Sequence, residues 1–236
     1  MSILIKNATI INAKNTQKAN ILIKNNKITQ ISSAMSDSER VIDASGKLVM
    51  PGLIDMHVHF RDPGQEYKED IITGSHAAAA GGVTTACCMA NTKPVNDSPL
   101  IAKYMIQKAK DCGLIDLYPI SAITQGSKGE RLVDMGKMLE AGCIAFSDDG
   151  LPVVSSDVMR AALEYSAHHG SFIINHSQDC SLCRSPRGRE DRKRRLRIYP
   201  GCLLQRFLAP EHQSQGHMAQ PVWLLVPPVR LPCGLI

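Results

Sequence analysis

From Pro51 to Ile174 the sequence alternates short apolar runs with amphipathic stretches, with no hairpin between consecutive runs. The runs cover residues 53–59, 84–90, 115–122, 144–146 and 172–174. Two of the intervening stretches carry clear helix signals. One opens at Asn96-Asp97-Ser98-Pro99, with a capping side chain and a proline at the first turn. It places Ile101, Tyr104, Met105 and Cys112 at helical spacing and stops at Gly113. The other runs from Ser156-Asp157 through Met159, Ala162, Leu163 and Ala167 to Gly170. Neighbouring parallel strands need a long crossover, which a helix supplies, so this order predicts a parallel α/β fold.

The first 50 residues follow a different rule. Ile3-Leu4-Ile5, Ile10-Ile11, Ile21-Leu22-Ile23, Ile28, Ile31 and Leu48-Val49-Met50 are short runs separated by Asn-rich turns such as Asn25-Asn26. That pattern predicts a small antiparallel β subdomain over residues 1–50. The chain is 236 residues long and 44% hydrophobic, the composition of a globular protein with a core. No apolar run approaches the ~18 residues that span a bilayer, and the apolar start of MSILIKNATI is too short for a signal peptide. The 8 cysteines include the adjacent pair Cys87-Cys88, which suits a reducing, cytoplasmic compartment better than a disulfide scaffold.

Charge and composition break near Cys183. Residues 1–183 carry 17 Lys+Arg against 19 Asp+Glu, and residues 184–236 carry 10 against 3, which together give the formal +5. Of the tail's 10 cations 9 are Arg, and it holds 7 of the 13 prolines and no Asn. The chain therefore divides into residues 1–50, residues 51–183 and a basic, Arg/Pro-rich tail over residues 184–236.

Polar residues close four of the five runs: His57-Val58-His59, Asn91, Ser147-Asp148-Asp149 and Asn175-His176. In a parallel barrel the strand C-termini share one mouth, where catalytic groups lie. His57 and His59 are two residues apart, so on a strand they face the same way. Alone, such a pair is most often structural. Joined by a carboxylate and a third histidine from neighbouring strands, it makes a Zn²⁺ shell. Arg61 can grip a carboxylate through a bidentate pair.

Residues 51–64, PGLIDMHVHFRDPG, resemble the signature of the amidohydrolase superfamily, most closely the class I dihydroorotases. The resemblance continues through Tyr67-Lys68-Glu69-Asp70, Gly81-Gly82-Val83-Thr84-Thr85, Met89-Ala90-Asn91-Thr92, Phe146-Ser147-Asp148-Asp149-Gly150 and Asn175-His176, and it covers residues 1–183. It implies the first five β/α units of a metal-dependent hydrolase (β/α)8, or TIM, barrel. The barrel is incomplete here and is preceded by a small β-sandwich-like subdomain. It also implies that His57 and His59 hold the first of one or two zinc ions, that Asp149 bridges to a second, and that His176 is a ligand on that second ion. Arg61 and Asn91, with His59 nearby, match the groups that hold the substrate's α-carboxylate. Dihydropyrimidinases and allantoinases put a carbamylated lysine where Asp149 stands. The run Ala145-Phe146-Ser147-Asp148-Asp149 has no lysine, which favours dihydroorotase. Ala90 replaces the proline usual before Asn-Thr. The implied reaction is the reversible interconversion of dihydroorotate and N-carbamoyl-L-aspartate in pyrimidine synthesis. Bound zinc would supply the Lewis acid and a hydroxide source near neutral pH, and the planar fork of Arg61 would orient the anionic substrate.

The tail resembles nothing in that family, whose barrel continues with three more units supplying another metal-binding His and an essential Asp. Neither has a counterpart among residues 184–236. His212 and His217 have no strand to position them, and the tail reads as a shifted frame that leaves the barrel open and the chain truncated. The 8 cations of residues 184–197 suggest nucleic-acid binding, a reading that the abrupt change of composition disfavours. Cys180-Ser181-Leu182-Cys183 is a CxxC with no second pair. His76, on a helix, and His168-His169 read as surface residues. The alternative to an enzyme is a non-catalytic, dihydroorotase-like scaffold for aspartate carbamoyltransferase, and the expected partners are a small anionic substrate, that enzyme or a second copy of the chain.

Overall fold

A computed structural model of the chain describes residues 2–34, 38–178 and 223–226. They fall into two compact units divided between Leu53 and Ile54, with residues 223–226 in the first.

The first unit is a six-stranded sheet: β1 (Ser2–Ile11), β2 (Thr16–Lys24), β3 (Lys27–Ser32), β4 (Arg40–Asp43), β5 (Leu48–Pro51) and β9 (Trp223–Val226). β2 and β3 form the expected hairpin. Asn25 (φ 50°) and Asn26 (φ 59°) take the two left-handed positions of its turn, a backbone region that asparagine tolerates. Pairing is mixed, however, and not purely antiparallel. β1 runs antiparallel to β2 but parallel to both β4 and β5, which share its other edge at Ile3–Lys6 and Thr9–Ile10 respectively. The cause is local. The β1–β2 register shifts between Ile5 and Ala8, where Asn7 (φ 59°) donates its backbone N–H to Asn20 Oδ1 at 2.9 Å and its side-chain amide to Asp43 Oδ1 at 3.1 Å. That bulge bends β1 and splits its free edge into two short docking sites. Ile5, Ala8, Ile10, Ala19, Ile21, Ala44 and Val49 form the core of this unit.

The second unit begins with β6 (Leu53–Val58), α1 (Ile71–Ala80), β7 (Val83–Cys88), α2 (Pro99–Cys112) and β8 (Asp116–Pro119), and adds α3 (Met135–Glu140) and α4 (Ser156–His168). The sheet order is β6-β7-β8, with β7 and β8 parallel. The parallel order then continues through single bridges, Ser121 to Phe146 and Phe146 to Ile173. The two shortest apolar runs thus occupy the fourth and fifth places in line, but runs of three residues are too short to sustain a ladder. This is an α/β fold matching an incomplete amidohydrolase barrel with an N-terminal β subdomain. Among the described residues β6 lies at one edge of this sheet, with Ile54 (65%) and Met56 (73%) exposed.

β7 and the residue after it show why the run ends in apolar residues, Ala86 to Met89. Ala86 and Cys88 pack with Ile71, Met105 and Ala109 of the helices, while Cys87 and Met89 face Ile120 and Ala145 on the other side. A parallel strand buried on both faces has no polar side to show. α2 starts at Pro99 and ends at Gly113 (φ 69°) as expected, yet no side chain caps its first turn. Ser98 takes the N-cap position without a side-chain bond, and two other candidates are engaged elsewhere: the Asn96 amide donates to Ile120 O at 2.9 Å, and Asp97 accepts from Gly126 N at 2.8 Å. His76 lies on α1, as its sequence context suggested.

Burial pushes the thiols of Cys88 and Cys143 up to about 12. At pH 8 alkylation should spare both in the native chain, each holding on the order of a thousandfold less thiolate than a free cysteine. Peptide mass mapping after iodoacetamide, native against urea-unfolded, would show it.

In the tail, β9 pairs antiparallel with β5 from Leu48 with Val226 to Pro51 with Trp223. It lies between Pro221 and Pro227, where an edge strand is tolerated. The basic run, the CxxC pair and His212 and His217 lie outside the described residues.

Candidate metal centre

The strand ends of the second unit bring distant residues together. His57 is the penultimate residue of β6 and His59 follows its last. Their alternation aims both rings the same way, with Nε2 atoms 3.2 Å apart and ring planes at 72°. Asp149 arrives from the segment after the Phe146 bridge. Its Oδ2 lies 3.6 Å from His57 Nε2 and 3.4 Å from His59 Nε2. These three donor atoms lie within 4.8 Å of one another, a grouping that can hold a metal ion. Two imidazoles and a carboxylate are the donor set of a catalytic zinc site with open positions. His176 follows the Ile173 bridge and turns Nδ1 to the other oxygen of Asp149, Oδ1, at 3.2 Å.

The adjacent aspartates divide their tasks by environment. Asp148 is buried and accepts from Ile123 N, Thr124 N and the Thr124 hydroxyl. It ties its segment to the loop after β8. Asp149, held by its own N–H donating to Ser147 Oγ at 3.1 Å, is left to face the histidines.

Asn91, from the loop after β7, reaches the same cluster. Its Oδ1 is 3.0 Å from His59 Nδ1, and its Nδ2 is 3.4 Å from both O and Oδ2 of Asp149. Arg61 stands two residues beyond His59 with a left-handed backbone (φ 59°), and among the described residues it forms no ion pair. The structure therefore gathers His57, His59, Asp149, His176 and Asn91. Arg61 is next to this cluster in sequence, and among the described residues no contact of its side chain with the cluster is seen.

Reasoning from the sequence missed what holds this loop. Asp62, fully buried, accepts from Lys108 Nζ at 2.7 Å, Tyr104 Oη at 2.9 Å and Ile71 N at 3.2 Å. Gly64 (φ +91°) lies so close to the next loop that a Cβ there would stand 1.6 Å from Lys93 O. That close approach accounts for the glycine that closes the Arg61–Gly64 turn, and Lys93 N donates back to Pro63 O at 2.8 Å. Only the Tyr104–Lys108 spacing of four, one helical turn, was a sequence signal for any of it.

Residues 46–190 match a protein-family model described as Dihydro-orotase-like. The chain is 50% identical over 186 residues to the dihydroorotase of Geobacter sulfurreducens, an alignment covering 77% of this chain and 44% of that protein. It is 51% identical over 187 residues to the dihydroorotase of Geotalea daltonii, with the same shares covered. The chain thus spans less than half the length of these curated relatives. Among solved structures, the L-hydantoinase (dihydropyrimidinase) from Arthrobacter aurescens superposes with a TM-score of 0.66 at 25% identity, covering 76% of this chain and 41% of that one. The D-hydantoinase (dihydropyrimidinase) from Thermus sp. gives 0.56 at 27%, with the same shares.

Proposed function

The chain belongs to the dihydro-orotase-like family, and from that premise we propose that it is a class I dihydroorotase-type amidohydrolase. The reading assigns it zinc and the reversible interconversion of dihydroorotate and carbamoyl-aspartate. The observation that carries it is the convergence of His57, His59 and Asp149 at the strand ends. The reading assigns one or two ions; a bridging role for Asp149 is supported by its presenting one oxygen to the first histidine pair and the other to His176. When bound, the metal supplies Lewis acidity and a hydroxide source. His57, His59, Asp149 and His176 would hold it. Arg61 and Asn91 would take the substrate carboxylate, and their fixed loops would orient the ring amide toward the metal.

The family's proton-shuttle aspartate has no counterpart among residues 184–236, whose composition we read as a shifted frame. For a polypeptide of residues 1–236 alone we therefore propose metal binding with negligible turnover. This same feature supports a second reading, a non-catalytic scaffold that binds aspartate carbamoyltransferase. The test replaces residues 184–236 by the corresponding segment of the G. sulfurreducens protein and measures carbamoyl-aspartate formed from dihydroorotate. Turnover dependent on His59 in the chimaera, and absent from the native chain, is expected. A chimaera that binds zinc but does not turn over would favour the scaffold. Sequencing the coding DNA across codons 178–190 decides the frame.

In the active chimaera, Arg61→Lys should cut kcat/KM for dihydroorotate by about tenfold to a hundredfold, because a lysine cannot reproduce the bidentate fork. Zinc content should stay unchanged. Equal loss of metal and turnover would contradict the substrate-binding role.

A further inference from the structure

We propose that Asn91 is a positioning residue: its side-chain oxygen fixes the tautomer of His59, and so presents the His59 Nε2 lone pair to a metal ion. The proposal rests on the metal-centre reading above and adds a role to Asn91 beyond contact with substrate.

The argument begins with which way the amide points. Nδ2 of Asn91 has two neighbours at 3.4 Å, the main-chain oxygen and Oδ2 of Asp149. A carbonyl and a carboxylate oxygen only accept, so the amide must turn its nitrogen toward Asp149. Oδ1 is then the atom 3.0 Å from His59 Nδ1. An amide oxygen also only accepts, so the hydrogen of the neutral ring sits on Nδ1. The lone pair is left on Nε2, the atom 3.2 Å from His57 Nε2 and 3.4 Å from Asp149 Oδ2. A metal-binding nitrogen must offer a lone pair, and the partner of the ring's other nitrogen decides whether it does. Asn91 thus sets a ligand's tautomer with one end of its amide and steadies a second ligand with the other. In this arrangement the nearest acceptors of its N–H groups both belong to Asp149. A direct grip on substrate would have to share them.

The experiment uses the 236-residue chain labelled with ¹⁵N-histidine, and zinc alone as the probe. Two quantities are read: the His59 tautomer in the metal-free chain, assigned against His59→Gln, and the zinc affinity by chelator competition. Asn91→Leu keeps the bulk but removes the acceptor; it should release the Nδ1–H tautomer and weaken zinc binding by about 10–100-fold. Asn91→Asp keeps an acceptor at the same place and should retain the Nδ1–H tautomer and recover most of the affinity. Metal-free thermal unfolding shows whether each variant is folded. An Asn91→Leu chain that keeps both tautomer and affinity overturns the proposal, and so does an Asn91→Asp chain with its hydrogen on Nε2. If the unsubstituted chain binds no zinc, the metal-centre reading itself falls, and the proposal with it.

Discussion

Asp149→Ala is expected to abolish stoichiometric zinc binding, a loss well beyond the ~100-fold typical of outer-shell changes. The carboxylate is the sole anion of the His57–His59–Asp149 cluster. Without it two neutral imidazoles remain, fewer ligands than a zinc site holds. His176→Ala makes the informative contrast. Its ring faces Oδ1 of Asp149, away from the oxygen that serves the histidine pair. On the proposed two-ion reading its loss lowers the zinc-to-protein ratio from two toward one; in either case the His57–His59–Asp149 site stays in place. Metal analysis after gel filtration reads both variants. A full complement of zinc in Asp149→Ala would rule out this cluster as the site.

How far the sequence reveals such a site depends on whether local periodicity or remote contact places each residue. His57 and His59 are legible because strand alternation is local and aims both rings alike. The run of residues 84–90 is legible for a similar reason: burial on both faces writes itself as the apolar stretch from Ala86 to Ala90. Asp148 and Asp149 are a harder case. Neighbours of identical chemistry, they differ only in what the fold brings to them, Thr124 to one and the histidines to the other. Resemblance distinguished them where residue type did not. The mixed pairing of β1 was hidden because it turns on one left-handed asparagine, Asn7, which in sequence resembles any other turn residue. Asn91 was read as a substrate contact, since nothing along the chain announces its 3.0 Å contact with a ring 32 residues away.

The Asp62 network is the extreme of this hidden kind, and it predicts a large loss of stability. Asp62 has no exposed surface, while the Lys108 side chain is 27% exposed. Lys108→Met would leave the buried carboxylate with Tyr104 Oη and Ile71 N but without the cation paired to it. Stranding one member of a buried pair costs about 3–5 kcal/mol; the partial exposure of Lys108 lets water in and puts the expectation at roughly 3 kcal/mol, at the low end of that range. The urea midpoint should fall accordingly. Asp62→Asn in the same chain should restore much of the loss, because a neutral amide no longer needs the ammonium. The pH dependence carries a definite sign. The hydrogen bond that Lys108 donates to Asp62 raises the Lys108 pKa above its ordinary 10.5, so the folded chain keeps that proton longer than the unfolded one. The contribution is whole below about 10.5 and is lost as the pH rises further. Burial also raises the Tyr104 hydroxyl above its ordinary range. The gap between native and Lys108→Met chains should therefore be flat from pH 7 to about 10 and narrow above it. A gap that stayed flat well above about pH 11 would mean that packing of the lysine stem, and not its charge, holds the loop beneath Arg61.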